Sequence, residues 1–338
     1  MIGYYVHHQG RGHLHRAQSI AAHVDGPVTL LSSLPRPAAW QGPWVSLPAD
    51  TTDAPRDPTA RGRLHWVPQH HPGHRERMGL IAEWIRRRTP SLFVTDVSVE
   101  AAALARLMGV PVVVTAMRGD RSDAGHRLGY DLADALVAPW PAALPEPGWP
   151  DSWHRKTLYT GSISRYDGRP RPPAGDDAPG RDEVVLMFGA GGSDLPAGAL
   201  HAARRATPGW SWTVLGGPQA AWTDDPWPVL CRARVVITHA GQNAVAECAA
   251  ARVPALVIPQ DRPHGEQHAT ARALDAAGLA TVRATWPAAR EWPALLARTA
   301  ARPDRWAQWS FGDGAVRAAR LLSELARTST GRAACVPR

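Results

Sequence analysis

Two stretches of this chain combine residue types and spacings that can do chemistry. The richer one is Thr238-His-Ala-Gly-Gln-Asn-Ala-Val-Ala-Glu247, followed by Val253-Pro-Ala-Leu-Val-Ile-Pro259 and then Glu266-Gln267. The apolar run Val235-Val236-Ile237 reads as a strand entering a small-residue turn and then an Ala-rich helix that stops before Pro254. The first turn of such a helix offers unpaired N–H groups and the positive end of the helix dipole, so it attracts phosphate. Asn243 and Glu247 are four apart and share one face of it. A carboxylate repels a neighbouring phosphate. Glu247 makes sense instead as the acceptor of two hydrogen bonds from an adjoining ribose diol. Glu266 and Gln267 open the next helix, in reach of sugar hydroxyls. Diphosphate, ribose and sugar contacts in that order point to a nucleotide-sugar site.

The second stretch, His7-His-Gln-Gly-Arg-Gly-His-Leu-His-Arg16, follows the first apolar strand and leads into a helix over 17–22. The GxGxxG spacing of a dinucleotide site is absent. Gly10 and Gly12 let the backbone turn tightly and present His13 at the carboxyl edge of a sheet, where open α/β proteins bind ligands. A neutral imidazole suits removal of a proton from an attacking hydroxyl. A histidine that only stabilises the turn is the alternative. Leu92-Phe-Val-Thr-Asp96 ends a buried strand on the same edge, so Asp96 either orients His13 or caps the helix expected over 97–108. His7, His8 and His15 read as surface or packing residues. In Gly189-Ala-Gly-Gly-Ser193, the N–H groups of Gly189, Gly191, Gly192 and Ser193 would close over the diphosphate.

The elements that must position these residues alternate as in a doubly wound α/β protein. Strands are expected at 2–7, 28–32, 92–95, 112–115 and 135–137, then at 183–188, 211–215, 235–238, 255–258 and 280–283. Residues 169–180, rich in Pro, Gly and Asp, read as a linker. The expected organisation is a first domain over 1–165, a linker over 166–181, a second domain over 182–312, a helix over 313–328 and a frayed tail over 329–338. Residues 50–77 form a long Pro-, Arg- and His-rich loop. Its His70-His71-Pro-Gly-His74 lacks Cys or carboxylate partners at ligand spacing, so no metal site is expected.

The stretch from Thr238 to Gln267 resembles the donor-binding signature of the GT-B glycosyltransferases. Within them it resembles in particular the UDP-glycosyltransferases and the enzymes that add N-acetylglucosamine to lipid I in peptidoglycan synthesis. The resemblance implies two Rossmann-like, doubly wound parallel-sheet domains facing a cleft, with the last helix crossing back to the first domain. It also implies an inverting, metal-independent transfer of a sugar from a UDP- or dTDP-sugar to an acceptor hydroxyl, without a further cofactor. The acceptor would be a small molecule, a natural product or a cell-envelope precursor. His239 and Gly241 fall where the family contacts the diphosphate, with Ala240, Gln242, Asn243 and Ala244 beside them in the donor-binding signature, Glu247 at the ribose, and Glu266 with Gln267 at the donor sugar. Ala244 replaces a common Ser or Thr, Arg252 replaces a usual Gly, and Glu266 replaces Asp. The resemblance makes His13 the general base and Asp96 its hydrogen-bonding partner, with Gly12, His8, Arg16 and Arg118 on the acceptor side. The form Gly-x-Gly-His-x-x-Arg also resembles a nucleotide-sugar hydrolase of pseudaminic acid synthesis, so a hydrolase on this fold is the alternative.

Composition excludes other classes. The net charge is +8, but Lys156 is the single lysine and the arginines are scattered, not gathered in a stripe with aromatics. That argues against nucleic-acid binding, and a non-catalytic basic binding protein stays as the less favoured alternative to an enzyme. Cys231, Cys248 and Cys335 have no close pairing, which suits a reducing cytoplasm. The chain opens on an apolar strand, and no run of about 18 apolar residues occurs, so neither a signal peptide nor a membrane span is expected. Peripheral membrane contact stays open.

Overall fold

Short apolar strands separated by helices bury both strand faces in one way, as a parallel sheet covered by helices on each side. The computed structural model describes residues 1–172, 182–188, 195–216, 223 and 225–333, and in it this happens twice. The chain divides into two compact units. One holds Met1–Pro139, Glu146–Thr160 and the chain from Ala315 onward; the other holds Trp140–Pro145 and Gly161–Gly314.

The first unit contains strands β1 (Ile2–Val6), β2 (Val28–Ser32), β3 (Trp44–Ser46), β4 (Leu92–Asp96), β5 (Val112–Thr115), β6 (Ala135–Ala138) and β7 (Thr157–Tyr159). Its helices are α1 (Gly12–Ala21), α2 (Pro72–Arg88), α3 (Val99–Leu107), α4 (Ala124–Leu132) and α5 (Asp151–Arg155). The strands form one parallel sheet in the order β3-β2-β1-β4-β5-β6-β7. The chain builds outward from β1 in one direction, then returns to β4 and builds in the other. The reversal between β1 and β4 leaves a crevice outside their carboxyl ends. Val6 is in register with Asp96 there.

The second unit repeats the plan with β8 (Asp182–Met187), α6 (Ala199–Ala206), β9 (Trp210–Leu215), α7 (Trp227–Arg232), β10 (Val235–Thr238), α8 (Gln242–Ala251), β11 (Ala255–Val257), α9 (Glu266–Ala276), β12 (Thr281–Val282) and α10 (Trp292–Ala300). The sheet order is β12-β11-β10-β8-β9, so its reversal lies between β8 and β10. Val184, Leu186, Val235, Ile237, Leu256 and Trp292 form the centre of its core.

Several boundaries differ from expectation. Helix α1 starts at Gly12, not at residue 17, so His13 stands in its first turn; Gly10, at φ +85°, makes the tight turn without Gly12. Strands β3 and β7, three residues each, are too short to show a hydrophobic period. The His-rich stretch is a helix start, because His71 Nδ1 accepts from His74 N–H at 3.1 Å and caps α2, which shortens the expected long loop. The last helix, α11 (Gly314–Ala333), runs into the stretch expected to fray. It lies against the first unit, where Ser323 Oγ accepts from Asp25 N–H at 3.0 Å and Arg327 pairs with Asp25 at 3.1 Å. The chain changes unit at Thr160–Gly161. The start of the expected linker is packed, with Tyr166 buried, Trp227 Nε1 donating to the Pro170 carbonyl and Arg169 paired with Asp225.

Candidate functional site

Each unit presents chemistry at its own sheet reversal. In the first, Asp96 is the last residue of β4 and has no exposed surface. It does not cap α3. Ser98 does, its Oγ accepting from Ala101 N–H at 3.1 Å. Asp96 turns instead toward α1. His13 Nδ1 donates to Asp96 Oδ1 at 2.9 Å, which leaves Nε2 as the basic ring atom of the neutral imidazole.

Arg16, expected on the acceptor side, is tied into the pair of His13 and Asp96. It lies one helical turn after His13, is 4% exposed, and grips both carboxylate oxygens of Asp96, Nε to Oδ2 at 3.0 Å and Nη2 to Oδ1 at 2.5 Å. Its Nη2 is also 3.1 Å from His13 Nδ1. Arg16 is therefore a buried partner of both residues. Burial would push the Asp96 carboxyl up, yet the Arg16 guanidinium, with His13, holds it well below the usual carboxylate range. The i, i+3 spacing of His13 and Arg16 was the available signal, since it brings both to one face of a helix.

The other residues expected on the acceptor side divide. Gly12 contributes only backbone to the first turn of α1. His8 stacks on His7, ring centroids 4.8 Å apart, with Nε2 3.9 Å from Asp50. Burial pushes both imidazoles down, His7 to about 3. Arg118 is buried and bonded to Glu146 at 3.1 Å. A cavity of about 600 Å³ in this unit is lined by Arg121, Arg127, Asp131, Trp149 and Trp153 among others.

His65, Asp123 and His126 place their ligand atoms within 4.8 Å of one another, close enough to hold a metal ion. Asp123 accepts from His65 Nε2 at 2.9 Å and from His126 Nδ1 at 2.5 Å. Arg121, which can only donate, reaches His126 Nε2 at 3.0 Å. His126 thus presents an N–H to Asp123, with a guanidinium behind it. Burial and then Arg121 push that imidazole down to about 3. The cluster is a hydrogen-bonded chain with its own cation.

In the second unit, β10 delivers His239 and α8 begins at Gln242. Its N-cap, Gly241, has no side chain with which to cap the first-turn N–H groups. Ala240 is buried, while Gln242, Asn243 and Ala244 are half-buried along that first turn. His239 Nδ1 donates to the Ile258 carbonyl at 2.8 Å, which sets the tautomer and directs Nε2 the other way. Glu247, 8% exposed, accepts at Oε1 from Arg165 Nε at 2.9 Å. Burial pushes its carboxyl up, and Arg165 pulls against that rise. Gln267 is buried at the start of α9, and its Oε1 accepts from Gln260 N–H at 2.8 Å, so only its amide N–H groups face outward chemistry. Glu266 stands half-buried beside it. Gly189, Gly191, Gly192 and Ser193 lie outside the described residues.

Arg252 shows why glycine is usual at its place. It ends α8 at φ +52°, in the left-handed region that favours glycine, and its side chain pairs with Asp304 at 2.5 Å. Arg165, 82 residues before Glu247, carries no local signal that would have brought it to the site.

Two parallel sheets built this way, each with its chemistry at the strand reversal, define the GT-B class of architecture, and comparison with known proteins agrees. Residues 220–285 match the glycosyltransferase family 28 C-terminal domain. No curated protein matches the chain in sequence. Among solved structures, the chain is similar to the glycotransferase of kitacinnamycin (18% identity, 99% of each chain covered, TM-score 0.62). It is similar to MurG of Acinetobacter baumannii (16% identity, 97% of this chain and 99% of that one, TM-score 0.58). UGT71G1 of Medicago truncatula, solved with UDP-glucose, aligns at 13% identity over 96% and 98%, with a TM-score of 0.67. The chain has the GT-B glycosyltransferase fold, and the family 28 match falls within its second unit. Among the described residues, no helix is long and apolar enough to cross a membrane.

Proposed function

We propose that this protein is an inverting glycosyltransferase that moves a sugar from a UDP- or dTDP-sugar to an acceptor hydroxyl of a small-molecule, natural-product or cell-envelope precursor. The observation that carries the reading is the hydrogen bond from His13 Nδ1 to Asp96, which makes Nε2 the base. The acceptor hydroxyl gives its proton to that nitrogen as its oxygen attacks the anomeric carbon. The bond from that carbon to the diphosphate oxygen breaks, the electron pair leaves with the diphosphate, and the configuration inverts. Asp96 holds the imidazole in one tautomer and orientation, as the carboxylate of a catalytic triad does.

The second unit holds the donor. The N–H groups at the start of α8, with His239, stabilise the departing diphosphate, an electrostatic role that a metal ion fills elsewhere. Glu247 accepts from the ribose, Glu266 accepts from the sugar hydroxyls, and the Gln267 amide donates to them. Similar structures solved with UDP-glucose and with thymidine diphosphate support this pair of nucleotides.

His13→Ala tests the reading. Turnover should fall by about 10²–10⁴-fold while donor affinity is unchanged. Near-normal turnover removes His13 from the mechanism. Products formed with and without an acceptor separate transfer from hydrolysis of the donor.

A further inference from the structure

Glu247 sits in the body of α8, 8% exposed, where an ionised carboxylate is costly unless a charge is paired with it. The paired charge comes from outside the nucleotide-binding motif. Arg165 Nε donates to Oε1 at 2.9 Å, and the Arg165 side chain keeps 31% of its surface exposed. The guanidinium is held in place from below, stacked 4.7 Å over the ring of Tyr166. Tyr166 is buried against Trp227 of α7, with ring centroids 4.9 Å apart. The Asp225-paired Arg169 lies over the same ring, 5.7 Å from its centroid. All of these residues belong to the second unit.

We infer that Arg165 is the positioning residue for donor recognition, holding Glu247 ionised and fixing which of its oxygens meets the ribose. This rests on the reading of Glu247 as the ribose acceptor. One carboxylate oxygen is engaged by Arg165, so the hydroxyls are received mainly at Oε2, in one orientation. An ionised carboxylate accepts from both hydroxyls of a diol. A protonated one has spent part of its acceptor capacity on an O–H.

The surroundings make Arg165 the charge that decides this. Burial alone drives the Glu247 carboxyl up, and Arg165 is what opposes it. Among the described residues, the other titratable groups coupled to Glu247 are the phenol of Tyr166 and the thiol of Cys248, both pushed up and so neutral at working pH. From α7 comes the uncharged Trp227. Removing the guanidinium lets the carboxyl rise further. Each unit of rise above the working pH weakens binding through the ionised form by about tenfold.

Calorimetric titration of UDP and 2′-deoxy-UDP tests this at about pH 6 and about pH 9, a window that spans a strongly raised carboxyl. The parent should prefer UDP by the same factor at both. Arg165→Gln should lose about tenfold of that preference at the lower pH and regain it at the higher. Arg165→Lys, which keeps the charge, should behave as the parent. Three results overturn the role assigned to Arg165. Arg165→Gln retains the parental preference at both pH values, or loses it equally at both, or Arg165→Lys acquires the pH dependence. Glu247→Ala separates the two levels of the argument. If that variant keeps the parental preference for UDP, the ribose reading itself fails, and the assignment of Arg165 with it.

Discussion

At the scale of single residues, Arg16 changes what Asp96 contributes to His13. A lone buried carboxylate would stabilise an imidazolium by its full charge. Here a guanidinium already balances that charge through two bonds. What Asp96 retains is control of the ring's tautomer and direction. The pairing also predicts how the site responds to substitution. Asp96→Asn leaves Arg16 buried without a counter-charge, which should cost about 3–5 kcal/mol of stability. Adding Arg16→Met removes the stranded charge, so the double variant should recover part of that loss. A denaturant-unfolding cycle over the four proteins reads the coupling, and strictly additive losses would refute it. The pH dependence follows in sign. Asp96 has its folded value depressed below an ordinary value near ~3.9. Its stabilisation is therefore complete above about pH 4 and fades as pH falls toward the depressed value. The stability gap between parent and Asp96→Asn should narrow over that acid range.

At the scale of elements, helix ends do most of the positioning. The start of α1 at Gly12 sets His13 and Arg16 on one face, and Ser98, by capping α3, frees Asp96 for that face. At the other end of a helix, Arg252 stops α8 so that Val253 can turn into β11. A β-branched residue tolerates φ +52° poorly. Arg252→Val should destabilise by about 1–2 kcal/mol. Arg252→Gly should stay within about 1 kcal/mol of the parent, because relief of the backbone offsets the freer unfolded chain and an exposed ion pair. Equal stability of the two variants in urea would show that the left-handed conformation is not what matters there.

At the scale of the whole molecule, two units with separate cores imply two separable responses. Trp292 has no exposed surface and lies in the core of the second unit. Trp292→Ala should cost that unit about 3–5 kcal/mol. Under the proposed function, UDP binds the same unit, so it should raise the thermal transition that Trp292→Ala lowers. At a hundred times its dissociation constant the ligand contributes about 2.7 kcal/mol. Differential scanning calorimetry with and without UDP checks this. A ligand shift confined to the other transition would place the nucleotide in the first unit.

Period and punctuation carried much of this protein into view before any coordinates. Both parallel sheets were legible because strands buried on both faces are written as continuous apolar runs, and 28–32, 112–115 and 235–238 coincide with β2, β5 and β10. The register of Asn243 and Glu247 on α8 was legible because helical spacing is a local property. Tertiary structure alone decided the partners. Asp96 could have capped a helix or met His13, and both choices satisfy the same local rules. The outcome depended on Ser98 taking the cap and on α1 bringing Arg16 across 80 residues of chain. Arg165 reaches Glu247 over 82 residues, and Gln267 is turned inward by a backbone N–H. A buried charge or amide must find its complement somewhere in the fold, and chain folding, rather than local spacing, determines which residue supplies it.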